Sequence, residues 1–250
     1  MLTRLRKKLA EASYGSLGLE VIVVIVGILI AFQIDRWAQE QREHQQEQQY
    51  VLRLIKDLKF EIGVMTDSLA MADQRIAHIR FLEQVSTDNE VARKSPNVVA
   101  SVLEMATWRS FPQINAYVYT ELQSTGNLSL IRSDDLRQGL AEYYSAIHHE
   151  SDIGFDLDLQ SLFTRLTAGI LTTAELIDIQ ENVFGLPEID ISPERGFDIA
   201  KEFSERQGAV DLLPSLAQHH AFTKFVVRPS RNKAQSLVAK LNAMIEEADR

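Results

Sequence analysis

The amino-acid sequence predicts an all-α protein: one N-terminal transmembrane helix continuing into a long helix, followed by an extramembrane helical bundle. An unbroken apolar run occupies most of residues 17–34. Apolar residues recur with heptad spacing from residue 51 onward, as on one face of a helix. No stretch alternates polar and apolar residues between turn signals, which would indicate a sheet.

The overall composition excludes several functional classes. The chain has no cysteine, so disulfides, thiolate catalysis and cysteine-ligated metal sites are excluded. Its net charge is −9; residues 1–38 are net basic, and the remaining lysines and arginines are scattered among a larger number of acidic residues. Nucleic acid is therefore not an expected partner, because phosphate binding requires a concentrated basic face.

Residues 17–38 are predicted to form the membrane helix. At ~1.5 Å per residue, the apolar run from Leu17 to Ile34 spans roughly 27 Å, close to the thickness of a bilayer's hydrocarbon core. Tyr14 and Trp37 flank it, as interfacial aromatic residues do. No signal-peptidase site follows the run, so we interpret it as a permanent signal anchor in contact with the lipid bilayer.

Basic residues predict the orientation of this anchor. Residues 1–16 form a short tail that contains Arg4, Arg6, Lys7 and Lys8. Because loops rich in lysine and arginine stay in the cytoplasm, the tail should be cytoplasmic and the bulk of the chain periplasmic. The expected location is the bacterial inner membrane.

One face of the anchor carries small and polar residues. At 100° per residue, five positions fall on one stripe, in which Gly27 and Ala31 would allow close helix approach. We predict that this stripe contacts a second copy of the chain or another membrane protein. Glu20 has two alternative roles: it reaches the cytoplasmic headgroups, or it faces a partner or an ion path. The stripe consists of Ser16, Glu20, Gly27, Ala31 and Asp35.

Residues 39–50 are predicted to form a polar helical neck, and residues 51–250 a helical extracytoplasmic domain. The domain begins with four heptads. Two alternatives explain this pattern: packing against the chain's own bundle, or an intermolecular coiled coil. If the helix runs unbroken to Val85, it projects roughly 70 Å at ~1.5 Å per residue. The heptad residues are Val51, Ile55, Leu58, Ile62, Met65, Leu69, Ala72, Ile76 and Ile79.

Capping and breaking signals predict the remaining helices. Residues 87–94 are polar and loop-like, and Ser95-Pro96 opens a helix that runs through Trp108. A further helix ends before Gly126, and Ser133 caps the next, which we extend through Gly154 to Ile170. Residues 185–195 are predicted to be a loop, in which Ser192-Pro193 begins another helix. The last helix is predicted to start at about Ser230.

Two stretches resemble a known family. They are EVIVVIVGILIAFQIDRW, from Glu20 to Trp37, and YTELQSTGNLSLIRSDDLRQGLAEYY, from Tyr119 to Tyr144. Together they are similar to a bacterial membrane-anchored family of unknown function (domain of unknown function six-zero-nine-zero). The resemblance implies a membrane anchor and a mainly helical domain, and it supplies no activity.

Two histidine pairs are the strongest candidates for metal chemistry. His148-His149-Glu150 lies near Asp152, and His219-His220 lies elsewhere in the chain. Adjacent histidines on a helix point about 100° apart, and the Glu-x-x-His motif of helical di-iron sites does not occur. The sequence also lacks a nucleophile elbow and a phosphate-binding glycine loop. We therefore predict no metal site, no cofactor and no catalytic residues.

These observations favour a single-pass membrane-anchored helical protein without enzymatic activity. It would act as a structural or interaction module, and it would self-associate as a homo-oligomer. The alternative is an extracytoplasmic sensor, or an oligomeric ion-conducting or gating protein that uses Glu20.

Overall fold

The computed structural model describes residues 2–108, 110–151, 155–181 and 190–248, without the side chains of residues 2–21, 148–151, 155–157 and 248. Within these ranges every regular element is helical, so the predicted all-α class is confirmed. The helices are α1 (Leu2–Thr87), α2 (Glu90–Lys94), α3 (Pro96–Met105), α4 (Tyr117–Ser124), a 3-10 turn (Asn127–Leu130), α5 (Asp134–Ser151), α6 (Phe155–Thr167), α7 (Thr173–Glu181), α8 (Pro193–Glu205), α9 (Gln207–Val210) and α10 (Leu213–Ala248).

Helix α1 joins the apolar N-terminal run to the bundle without a break. It contains 86 residues, or about 130 Å at ~1.5 Å per residue. The predicted continuation to Val85 is confirmed. One continuous helix therefore carries both the apolar segment and one wall of the bundle.

The main partner of α1 is α10, which runs antiparallel to it. Lys224 near the start of α10 pairs with Asp73, whereas Ile245 near its end lies beside Val51. Helix α5 also packs against α10. The last turns of α10 thus return to the end of the bundle from which the apolar segment projects.

Two hydrophobic cores are stacked along α1. The first core is built around Leu54, Leu58 and Met65 of α1, with side chains from α4, α5 and α10. The second core is built around Ile79 and Leu82, with side chains from α2, α3, α6, α7, α8, α9 and the start of α10. Between them, from Ser68 to His78, α1 buries several polar side chains.

The heptad residues contribute to both cores. Seven of the nine are buried within the chain, and Ile62 and Ile76 are half-buried. The bundle's own helices cover this face, which is the first of the two alternatives that the heptads allowed.

The predicted start and stop signals agree with the helix bounds. Pro96 and Pro193 occupy the first positions of α3 and α8, and the Ser192 hydroxyl accepts from Arg195 N–H. Gly126 has a φ of +74°, a left-handed conformation that glycine adopts without strain. These residues therefore mark the starts of α3 and α8 and the end of α4 as expected.

Four sequence predictions differ from the structure. Residues 90–94 form α2, where a loop was predicted, and α3 ends at Met105 before Trp108. Helix α10 begins at Leu213, so Pro229 lies inside it, where Ser230 was expected to begin the helix. Pro229 and Phe225 are exposed, so water can replace the helical N–H that the Phe225 carbonyl loses. The predicted neck is not fully solvated either, because Glu47 is buried.

The predicted helix through Gly154 falls partly outside the described residues. The structure assigns α5 and α6 on either side of positions 152–154. In the predicted extension, Leu159, Leu166 and Ile170 pack in the second core, whereas Leu162 is exposed.

Candidate functional site

The apolar segment of α1 is uncovered by the rest of the described chain. Its large side chains from Ile22 to Ile34 are between 46% and 64% exposed, and Trp37 beyond them is also exposed. This is the one helix in the described ranges that is long and apolar enough to cross a membrane. Monomeric soluble proteins rarely expose a continuous apolar surface of this size.

The predicted contact stripe lies on this segment. Gly27, Ala31 and Asp35 are exposed, and a Cβ built at Gly27 would meet no other atom within 4 Å. Ser16 and Glu20 fall on helical backbone, but their side chains lie outside the described residues. The described part of the stripe is therefore open to a neighbouring helix.

A second feature is a line of buried positions on α1 that are seven residues apart. Seven residues turn a helix by about 700°, so such positions lie almost above one another. Four of these positions carry polar side chains, and Leu54 and Leu82 occupy two others in the same line. We call the four residues the polar row: Glu47, Glu61, Ser68 and Arg75.

Glu61 lies in the first core between two tyrosines of α5. Tyr143 Oη donates to Glu61 Oε2 at 2.9 Å, and Tyr144 Oη donates to Oε1 at 3.3 Å. Glu61 is 4% exposed. Burial raises the pKa of Glu61 to about 7, although both hydroxyl bonds oppose that rise. Burial also raises the pKa of both tyrosines, so their hydroxyls remain protonated donors.

A third tyrosine extends this cluster to α4. The rings of Tyr119 and Tyr144 are stacked with centroids 4.5 Å apart, and Tyr143 meets Tyr144 edge-on at 4.8 Å. One turn before Glu61, Asp57 Oδ2 accepts from Val118 N–H at 3.1 Å at the start of α4. The Glu61 contact therefore fixes α1, α4 and α5 relative to one another.

The other members of the polar row hold connecting segments. Glu47 Oε1 accepts from Arg132 N–H at 2.8 Å, and its Oε2 lies 3.5 Å from Arg132 Nε. Ser68 Oγ donates to the Ser110 carbonyl. The polar row thus attaches the connectors before α4 and before α5 to the long helix.

Arg75 completes the row between the two cores. Its guanidinium lies 5.7 Å from the ring centroid of Trp108, and Nη1 donates to His78 Nδ1 at 3.4 Å. Burial, then the charge of Arg75, then that of His220, lower the pKa of His78 to about 4. His78 is therefore neutral at pH 7, which leaves Nδ1 able to accept from Arg75.

Ser110 and His220 also meet between the two cores, and their side chains have the geometry of a nucleophile and a base. Ser110 Oγ lies 3.0 Å from His220 Nδ1, and His220 Nε2 lies 3.1 Å from the Ala106 carbonyl. Because a carbonyl can only accept, His220 Nε2 carries a proton and donates to the Ala106 carbonyl. Both side chains are buried, so this pair joins α10 to the connector after α3.

The histidine pairs do not form a described metal site. The rings of His219 and His220 meet edge-on with centroids 5.3 Å apart. The side chains of His148, His149 and Glu150, together with Asp152, lie outside the described residues. Among the side chains that are described, no group of three histidines, aspartates or glutamates could hold a metal ion.

Sequence reasoning missed the polar row. The heptad assignment followed the rows that begin at Val51 and Ile55, and it omitted the row through Leu54 and Leu82. That omitted row is more deeply buried than the row that begins at Ile55. The sequence did contain a signal for this row. Leu54 and Leu82 are spaced by four heptads, and polar residues occupy the positions between and before them in the same seven-residue spacing.

Comparison with protein-family models assigns the chain to a family. The model of a family of unknown function, DUF6090, matches residues 20–153, more than half of the chain. The matched range contains the apolar segment, the whole polar row and the tyrosines that bind Glu61. Neither the curated proteins nor the solved structures contain a match to this chain. The chain belongs to the DUF6090 family of unknown function.

Proposed function

We propose that this protein is a single-pass membrane-anchored helical module that binds a partner, first of all a second copy of itself. The observation that carries the proposal is the continuity of α1, in which the exposed apolar segment runs directly into the packed bundle. The lipid bilayer would cover that segment. The bundle would then stand in the periplasm of a bacterium, with the basic N-terminal tail in the cytoplasm.

Self-association through the anchor is supported by a comparison of the covered and uncovered faces of α1. The heptad face of α1 is already occupied by the chain's own helices, whereas Gly27 and Ala31 are open. Small residues spaced by four allow helix backbones to approach closely in a membrane. The second copy would therefore pack along the stripe that contains Gly27, Ala31 and Asp35.

The proposed role is binding without catalysis. The buried polar groups of α1 are engaged in contacts that hold α4, α5 and the connectors in place. Ser110 and His220, which have the geometry nearest to a reactive pair, are buried. Such arrangements specify packing more readily than they turn over a substrate.

A fractionation and crosslinking experiment tests this function. Full-length protein should stay in the membrane pellet after alkaline extraction, and crosslinking in native membranes should trap a dimer. Gly27→Leu should reduce the crosslinked dimer several-fold, while Ile25→Leu on the opposite face of α1 should leave it unchanged. Release of the protein by alkali would contradict anchoring, and an undiminished dimer in Gly27→Leu would contradict the interface.

The orientation has its own test. Because the chain has no cysteine, single cysteines at Thr3 and Gln46 report which side of the membrane each position occupies. An impermeant maleimide applied to spheroplasts should label the Gln46→Cys variant and spare the Thr3→Cys variant. The reverse pattern would place the bundle in the cytoplasm.

A sensor is the second candidate function. The continuity of α1 favours it, since a rearrangement in the bundle acts directly on the apolar segment. In the conducting version of this function, Glu20→Gln should change proton or ion flux in vesicles. Unchanged flux would exclude conduction through Glu20.

A further inference from the structure

Glu61 differs from the other carboxylates that hold this bundle together. Glu47 accepts from a backbone N–H and faces Arg132, and Glu175 in α7 is bound by Arg195 of α8. In the described part of the chain, no lysine, arginine or histidine forms an ion pair with Glu61. Its two oxygens depend on neutral hydroxyl groups, and both of those hydroxyls belong to α5.

We propose that Glu61 is a proton switch, which takes up and releases one proton and thereby tightens or loosens the contact of α1 with α4 and α5. In the protonated state, the carboxyl group is neutral and fits the apolar first core. In the deprotonated state, a charge is buried with only two hydroxyl donors, and a buried charge without a cation favours opening toward water. The proton passes to solvent, because both tyrosines keep theirs.

The structure places a surface groove next to one side of the switch. A surface groove of about 260 Å³ lies between α5 and α10, and Tyr143, Phe225, Pro229 and Lys233 line it. Tyr143 is the ring whose hydroxyl binds Glu61. A small displacement of α5 from α10 would therefore hydrate the carboxylate without unfolding the second core.

The groups around Glu61 act on it in known directions. From α1, the charge of Asp57 favours protonation of Glu61. From α5, Tyr143 and Tyr144 favour the charged form through their hydrogen bonds, and Tyr119 of α4 reaches the site by stacking on Tyr144. From α10, Lys233 lines the groove, but its ammonium is bound 2.6 Å from Glu142 Oε2. Desolvation is the largest of these effects and outweighs the hydrogen bonds.

The sign of the pH dependence follows from linkage. The pKa of Glu61 is about 7 in the folded chain, above the ordinary glutamate value of 4.5. Between these two pH values the folded state binds more protons than the unfolded state. The contribution of Glu61 to the free energy of unfolding is therefore greatest below about pH 4.5. It falls as pH rises to about 7 and is constant above that pH.

The test compares the full chain in nanodiscs with three variants by infrared spectroscopy and urea denaturation. The wild type should show the carbonyl band of a protonated carboxyl group that disappears as pH rises through about 7. Its unfolding midpoint should fall between about pH 4.5 and about pH 7. Glu61→Gln should lack the band and the slope. Glu205→Gln, at the exposed end of α8 and away from the groove, should retain both.

The third variant, Tyr143→Phe, leaves Glu61 in place and therefore tests the switch even if Glu61→Gln does not fold. Tyr143→Phe removes one donor to the charged form, so the infrared transition should move to higher pH by about one unit. A transition that stays in place or moves to lower pH would overturn the switch, as would a wild type without a titrating carboxyl band. These outcomes do not depend on dimerisation or on the orientation of α1, so they are separable from the proposed function.

Discussion

The first and second cores hold an acidic side chain at a helix contact in opposite ways. In the first core, Glu61 is bound by two tyrosine hydroxyls, and burial raises its pKa to about 7. Beside the second core, the Arg195 guanidinium contacts both oxygens of Glu175 at 2.8 and 3.0 Å and lowers the pKa of that carboxyl to about 2. The same residue type therefore gives opposite responses to pH in the two halves of one bundle.

The aromatic residues of the two cores match this difference. The first core contains Tyr119, Tyr143 and Tyr144, whereas Phe163 and Phe203 form the aromatic pair of the second core. Tyrosine supplies an apolar ring and a hydroxyl donor, which a buried carboxyl group without a cation requires. The first core is thus the half whose packing depends on a proton, and the second core is the half that a charge pair fixes.

The largest expected effects come from truncating each core. Leu58→Ala and Phe203→Ala should each lower the free energy of unfolding by about 2–5 kcal/mol, because each removes a fully buried side chain. Ile28→Ala in the exposed apolar segment is the control and should change the unfolding of the bundle little. The measurement is urea denaturation with hydrogen exchange resolved by helix. Equal loss of protection in α5 and α8 for both core variants would show that the cores unfold as one unit.

An intermediate effect is expected from the Glu175–Arg195 pair. The folded pKa of Glu175 lies below the ordinary value, so its contribution to stability is complete above about pH 4.5 and is lost as pH falls toward 2. Glu175→Gln should remove about 2 kcal/mol at pH 7, after allowance for partial exposure of the pair, and should abolish that loss in acid. Glu194→Gln, whose carboxylate is largely exposed, is the matched control. Urea denaturation of both variants at pH 7 and pH 3 measures these effects. If Glu175→Gln loses as much stability between pH 7 and pH 3 as the wild type does, Glu175 is not the group responsible for the acid dependence of the second core.

The smallest effects concern the helix caps. Ser133 Oγ accepts from Leu136 N–H at the start of α5, and Ser192 Oγ accepts from Arg195 N–H at the start of α8. Replacement of either serine by alanine should cost about 1 kcal/mol. Ser95 precedes α3 without a side-chain cap bond, so Ser95→Ala should be nearly neutral. Thermal unfolding of the three variants measures these losses of stability. A loss for Ser95→Ala equal to that for Ser192→Ala would contradict the assignment of the caps.

Much of the fold could be predicted from local signals in the sequence. The apolar run, the heptads, Gly126 and the Ser-Pro starts each act within one or two helical turns, so their consequences are visible without knowledge of tertiary contacts. Helix α10 was placed too late because Pro229 normally ends a helix. It continues here because α10 packs along α1 on both sides of the proline, and those contacts outweigh one missing hydrogen bond.

The polar residues of the candidate site could not be predicted in the same way. The partners of Glu61 have no local signal in the sequence, because the two tyrosines come from α5, 82 and 83 residues away in the chain. Its burial is decided by the tertiary packing of α1 against α4 and α5. The heptad line through Leu54 and Leu82 indicates that position 61 faces inward, but it does not indicate what Glu61 meets there.

The antiparallel pairing of α1 and α10 has a consequence for the order of folding. Asp73 and Lys224, which pair across the bundle, are 151 residues apart in the chain. The first core cannot close until α10 has been synthesised, because Val227, Leu237 and Leu241 form part of it. Most of the second core comes from residues that are made earlier. During synthesis, the half farther from the apolar segment is therefore complete first, and the half that contains Glu61 waits for the last helix.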